Sequence, residues 1–214
     1  MKIFDISRPL FNGLAPWPGD TAFHFELKWK MAEGASVNVG AAETGLHNGT
    51  HADAPFHFQA DGTTIDRMPL ETYFGEAVVV DLTSRFGAGG EGEITVADLQ
   101  PRADALRSAP RLLVKTGAWP DPAIFPERIP VIASDVPGFL QDRKVKLLGL
   151  DLPSVDAIDS KTLDNHHALA AAGIAIVESL DLSAIPEGTY RFAAFPLRIR
   201  GGDAAPVRAV LWLD

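Results

Sequence analysis

The sequence predicts a strand-heavy α/β fold. Three observations predict it: six short runs rich in β-branched and aliphatic residues, turn residues bounding each run, and an alanine-rich stretch near the C-terminus that ends at a glycine. At 214 residues the chain can bury one sizeable core. With no internal repeat, low-complexity tract or linker, residues 1–214 are expected to form a single domain.

The runs expected as strands are 23–29 (FHFELKW), 76–82 (EAVVVDL), 111–116 (RLLVKT), 145–151 (VKLLGLD), 174–180 (IAIVESL) and 207–213 (VRAVLWL). A helix is expected over 95–108, opened by Thr95 and perturbed by Pro101. A second covers 162–172, where alanines favour helix and Gly173 supplies a stop. Ser134 or Asp135 opens a third short helix over 136–143. Gly87-Ala88-Gly89-Gly90-Glu91-Gly92 matches the G-x-G-x-x-G pattern after a strand. A dinucleotide site needs a helix to start there and an acid about 20 residues on. A β-type segment, Glu93-Ile94-Thr95-Val96, follows instead, and position 112 is leucine. This stretch reads as a surface loop.

The formal net charge of −9 argues against nucleic acid and anionic membrane surfaces as partners. The chain has no cysteine, which removes disulfides, thiolate metal sites and cysteine nucleophiles. A bound metal would therefore need nitrogen and oxygen ligands. The opening MKIFDISRPLFNG lacks a signal-peptide core, so the expected location is the cytoplasm and the sequon at Asn48 is inert.

Three of the six histidines fall in one window, His47-Asn48-Gly49-Thr50-His51-Ala52-Asp53-Ala54-Pro55-Phe56-His57. Gly49 and Pro55 oppose a helix. In an extended segment positions 47, 51, 53 and 57 share a face, but a straight strand would hold 47 and 51 roughly 13 Å apart. Gly49 can bend the chain and Pro55 can turn it, so the window is expected to curl and present His47, His51 and Asp53 together. Two imidazoles and a carboxylate suit zinc, or manganese where oxygen ligands predominate. A second cluster lies near the C-terminus. His166 and His167 sit near the start of the expected helix, about 100° apart around it, so only one is expected to ligate. Glu178 stands in an apolar row with Ile174, Ile176 and Leu180, where a buried carboxylate needs a cation or a proton.

The window resembles the H-x-G-T-H-x-D-x-P-x-H signature of the cyclase-type metal-dependent hydrolases, a family that includes bacterial kynurenine formamidases and isatin hydrolases. Trp17-Pro18-Gly19-Asp20, Asp151-Leu152-Pro153-Ser154-Val155-Asp156, Ser160-Lys161 and Ala205-Pro206-Val207-Arg208 resemble the formamidase branch. Asn48, where that branch has threonine, and Gly202, where it has leucine, depart from it. The resemblance implies a swivelling β/β/α-type, barrel-like mixed sheet with outer helices, assembled as a homodimer or larger. It implies two divalent ions, zinc or manganese: one held by His47, His51 and Asp53, the second by Asp53 and His166, with Glu178 contacting one or both. It gives His57 the role of general acid/base and sets Trp17 against the substrate's aryl group. Trp17 also fits a core or interface position, and Asp151 fits either support of a ligand histidine or a turn.

The activity implied is hydrolysis of N-formylkynurenine to kynurenine and formate in tryptophan degradation. Metal binding would lower the pKa of water to roughly 7, and the resulting hydroxide would attack the formyl carbon. The alternatives are an isatin hydrolase or another cyclic or aryl amide hydrolase, a non-catalytic metal-binding module, and a metal-free small-molecule binder.

Overall fold

Strand alternation sorts the apolar residues into two cores, with a curled sheet between them. The computed structural model describes residues 1–213. In chain order it runs through β1 (Lys2–Asp5), β2 (His24–Trp29), β3 (Val39–Glu43), β4 (His51–Asp53), β5 (Phe74–Asp81) and β6 (Gly92–Ile94). There follow α1 (Val96–Leu99), α2 (Ala105–Ser108), β7 (Arg111–Lys115), β8 (Pro130–Ile132), α3 (Val136–Asp142) and β9 (Leu147–Leu150). The chain ends with α4 (Asp164–Ala171), β10 (Ala175–Glu178), β11 (Gly188–Ala193), β12 (Ala204–Pro206) and β13 (Val210–Leu213).

Nine strands form one sheet in the order β1-β13-β11-β5-β7-β9-β10-β4-β12. Its centre, β5-β7-β9-β10, is parallel; the pairings outward from β5 and β10 are antiparallel. Only residues 207–209 separate β12, at one edge, from β13, next to the other. The sheet must curl to allow that, and bridges Ser7–Leu180 and Pro196–Val207 tie its two ends. The outcome is a half-barrel, the barrel-like mixed sheet that the family resemblance implied.

Inside the curl lie Val79, Leu113, Leu147, Val177 and Ala52. Their neighbours Val78, Leu112, Leu148 and Ile176 point the other way, against Leu106, Leu140 and Leu169 of the helices. Each such side chain, fully buried, contributes about 1.5–3 kcal/mol, so both faces of the parallel strands are held apolar.

Each of the six expected strands forms, most of them a residue or two shorter at the ends. The 23–29 run lies outside the main sheet: β2 pairs with β3 in a separate two-stranded ribbon and is exposed along its length. The 95–108 helix does not form as one piece. Thr95 opens it with a capping box to Asp98, but Pro101 cannot donate a backbone hydrogen bond, and the segment divides into α1, a short 3-10 turn at Gln100–Arg102 and α2. The 162–172 helix is α4, closed by Gly173 in the left-handed region. The glycine-rich stretch is a loop leading into β6.

Candidate metal centre and active site

The window at 47–57 folds in three steps. Residues 47–50 turn, with Gly49 at φ +64°; a Cβ there would meet the Leu10 side chain at 2.6 Å. His51–Asp53 is strand β4, and Pro55 opens a 3-10 turn ending at His57. The expected curl is therefore correct at its ends, while its middle is a strand. Because Ala52 and Val177 face the inner core, His51, Asp53 and Glu178 face outward, towards α4. Glu178 pairs in register with His51.

The expected row of Ile174, Ile176, Glu178 and Leu180 is broken at its last member. Ser179 adopts φ +58°, ending the alternation, and Leu180 turns into the inner core while Ile174 and Ile176 stay on the helix side. Glu178 is thus the last side chain of β10 facing the helix side. Its Oε1 accepts the Val155 backbone N–H at 3.1 Å.

Two sets of donors converge here and share Asp53. Asp53 Oδ1 lies 3.1 Å from His47 Nδ1 and 3.3 Å from His51 Nε2. Its Oδ2 lies 3.5 Å from His166 Nε2, which is 3.6 Å from Glu178 Oε1. Glu178 Oε2 stands 3.5 Å from His51 Nε2, closing the group. His51, Asp53, His166 and Glu178 are buried, and His47 is half-buried. His167 points away from this group and packs against Phe58.

Donors about 2.0–2.1 Å from a tetrahedral ion lie about 3.3 Å from one another, close to these separations. His51 Nε2 and both oxygens of Asp53 are buried without a hydrogen-bond partner. Three orphaned polar atoms facing one point would be costly in a folded core unless a cation serves them. The residues present therefore fit divalent ions.

The electrostatics agree. Burial pushes the Asp53 carboxyl up, but the imidazoles of His166, His47 and His51 beside it hold it well below the usual carboxylate range. Burial lowers the imidazoles, yet the carboxylates facing them raise His47 to about 9 and His51 and His166 to about 10. Burial and the Asp53 charge raise Glu178. The site demands positive charge, which divalent ions would supply.

Two acids that the spacing of the ligand motif does not single out support the histidines. Asp156 Oδ2 lies 2.6 Å from His166 Nδ1. Asp203 Oδ2 lies 3.0 Å from His47 Nε2. Asp151 touches no histidine: it accepts from the Thr116 and Gly117 backbones and the Thr116 hydroxyl, so the turn role is its role. Asn48 is buried and donates to Thr21 O and Thr44 Oγ1, an anchor for the turn.

A cavity of about 490 Å³ opens onto His47, His57, His166 and Glu178. Trp17 is on its wall, edge-on to Phe125 at 5.3 Å between ring centroids, and Trp119 meets Phe125 at 6.0 Å. Burial holds the His57 imidazole below its ordinary value, leaving a neutral ring at pH 7 that can take a proton.

A profile of the Cyclase family matches residues 4–157. The chain is 40% identical to the kynurenine formamidase of Bacillus cereus over 207 residues, 97% of this chain and 95% of that one. It is 42% identical to the kynurenine formamidase of Geobacillus thermodenitrificans over the same shares. Among solved structures it resembles a potential metal-dependent hydrolase with cyclase activity, at a TM-score of 0.78 and 27% identity, covering 98% of this chain and 96% of that one. Isatin hydrolase A of Labrenzia aggregata shares the fold, at a TM-score of 0.79 and 21% identity, covering 98% and 93%.

Proposed function

The chain belongs to the Cyclase family, and from that premise we propose that it is a kynurenine formamidase, hydrolysing N-formylkynurenine to kynurenine and formate. The observation that carries the reading is the gathering of His47, His51, Asp53, His166 and Glu178 into two donor sets that share Asp53, beside an aromatic-walled cavity. In this reading His47, His51 and Asp53 hold one ion and Asp53, His166 and Glu178 a second; three imidazoles with two carboxylates favour zinc, with manganese the alternative.

Divalent ions held there supply Lewis acidity and lower the pKa of water to roughly 7. Trp17 and Phe125 set the aryl ring against the wall, which places the formyl group towards His57. A water oxygen bonds to the formyl carbon as the carbon–nitrogen bond breaks. His57, neutral before the reaction, accepts a proton from that water and delivers it to the departing arylamine nitrogen. Asp156 keeps the His166 Nε2 aimed at Asp53 and Glu178.

We read residues 1–214 as one catalytic domain in the cytoplasm, the compartment that goes with amino-acid breakdown. We also propose that the enzyme is a homodimer or larger. The β2–β3 ribbon supports this: Phe25 and Leu27 share one face and are exposed, and Trp29, beyond a bulge that shifts the register, is exposed by 60%. A two-stranded ribbon is marginal by itself, so a second copy covering that face would stabilise it. The test of function is to reconstitute the protein with Zn²⁺ or Mn²⁺ and compare N-formylkynurenine with isatin. A kcat/KM for the formamide no better than for isatin overturns the assignment.

A further inference from the structure

Asp203 approaches the site from the C-terminal side, and its backbone is fixed by the strand that fixes Asp53. Ala204 pairs with Asp53 in register, and the Ala54 N–H donates to Asp203 O at 2.9 Å. The Ile65 N–H donates to Gly202 O at 2.9 Å, holding the preceding residue as well.

Its side chain reaches two histidines. Asp203 Oδ2 is 3.0 Å from His47 Nε2 and 3.6 Å from His57 Nδ1, and the two rings lie 4.1 Å apart between centroids, tilted by 41°. The other nitrogen of His47, Nδ1, faces Asp53 Oδ1 at 3.1 Å. A ring whose Nδ1 gives its lone pair to the centre carries its proton on Nε2, and Asp203 is the acceptor for that proton. In His57 the same carboxylate faces Nδ1 at 3.6 Å, an electrostatic contact longer than a hydrogen bond, which favours the proton on Nδ1 and leaves Nε2 for the cavity.

We infer that Asp203 is a positioning residue that sets the ring orientation and tautomer of both His47 and His57, so that one carboxylate supports ion binding and proton transfer together. The proton-transfer half rests on the hydrolase reading above; the ion-binding half does not. The competing roles are a loop anchor and, since His47, His57 and Asp203 also bring three donors together, a ligand in its own right. The Asp203 side chain is 39% exposed, and a partly exposed ion pair that only tethered a loop would contribute little to stability and nothing to either histidine's chemistry.

Asp203→Ala and Asp203→Asn separate these roles. Zinc affinity is measured by competition with a chelating dye, kcat and KM with N-formylkynurenine at saturating zinc, and folding by thermal melting. Asp203→Ala is expected to weaken zinc binding about 10–100-fold. At saturating zinc its kcat is expected to fall at least about 10-fold while KM stays within about threefold. Asp203→Asn keeps an acceptor oxygen in the same place and is expected to recover part of both losses; should the alanine variant fail to fold, the asparagine variant carries the same measurements against wild type. Wild-type zinc affinity in the alanine variant, or a kcat within about threefold of wild type, overturns the inference. The zinc measurement needs no turnover, so if wild type fails to hydrolyse N-formylkynurenine, the formamidase reading falls and the dye competition alone decides the role of Asp203.

Discussion

Asp156 and His166 are joined twice: one carboxylate oxygen, Oδ2, lies 2.6 Å from the imidazole Nδ1 and 3.1 Å from the His166 backbone nitrogen. The other oxygen takes the Asn165 N–H at 2.9 Å, so the acid caps the first turn of α4 while fixing the ring. Held this way, His166 carries its proton on Nδ1 and turns Nε2 to Asp53 and Glu178. Asp156→Asn keeps an acceptor but loses the charge. Zinc affinity is expected to fall about 10–100-fold, read by chelator competition. Unchanged affinity would mean that α4 alone orients the ring.

His57 touches the cavity yet lies outside the two donor sets built on Asp53. His57→Ala is therefore expected to keep its metal, as measured by elemental analysis, while turnover falls about 10²–10⁴-fold. Loss of metal together with activity would make His57 a ligand instead.

The fold and the site differ in how far the sequence revealed them. The central strands were legible because their apolar runs are buried on both faces, which leaves a continuous signal. Strands β1, β4, β6, β8 and β12 are three or four residues long, too short for any periodicity, and they are paired by tertiary context. His47, His51 and Asp53 stood out because three histidines crowd one window. Asp203 gave no such signal: it lies 156 residues from His47 and meets it only because β12 pairs with β4. Leu180 was misplaced because a serine at positive φ ends the alternation, and nothing in the residue type announces that.

The protonation of the metal-free protein sets a pH dependence with a definite sign. His47, His51 and His166 are raised to about 9–10 from an ordinary value near 6.5. Between those values the folded, metal-free protein binds more protons than the unfolded chain, so the stability these three histidines contribute is full below pH 6.5 and is lost as pH rises towards 9–10. Metal binding must displace those protons, so it strengthens over the same range. The melting-temperature gap between zinc-loaded and metal-free protein is expected to widen from pH 6.5 to pH 9. Calorimetry at pH 7 in buffers of different ionisation enthalpy should show more than one proton released per molecule saturated with zinc; release of none would show that the imidazoles are neutral before metal arrives.

Thr50 bolts the two ligand-bearing strands together from behind. Its hydroxyl donates to Ser179 O at 2.6 Å and accepts the Arg8 N–H at 2.8 Å. Thr50 precedes His51 and Ser179 follows Glu178, so this bond spans the neighbours of two predicted ligands that pair in register. Thr50→Val keeps the shape and the β-branch but strands a buried carbonyl and a buried N–H. The cost is expected to be about 1–3 kcal/mol, read as a lower denaturation midpoint of the metal-free protein with an unchanged slope. The zinc-loaded variant should show a larger loss, since a hydroxyl that holds the ligand-bearing strands together also favours zinc binding, and its removal weakens both. An equal loss with and without zinc would show that the hydroxyl supports the sheet and has no part in bringing the ligands together.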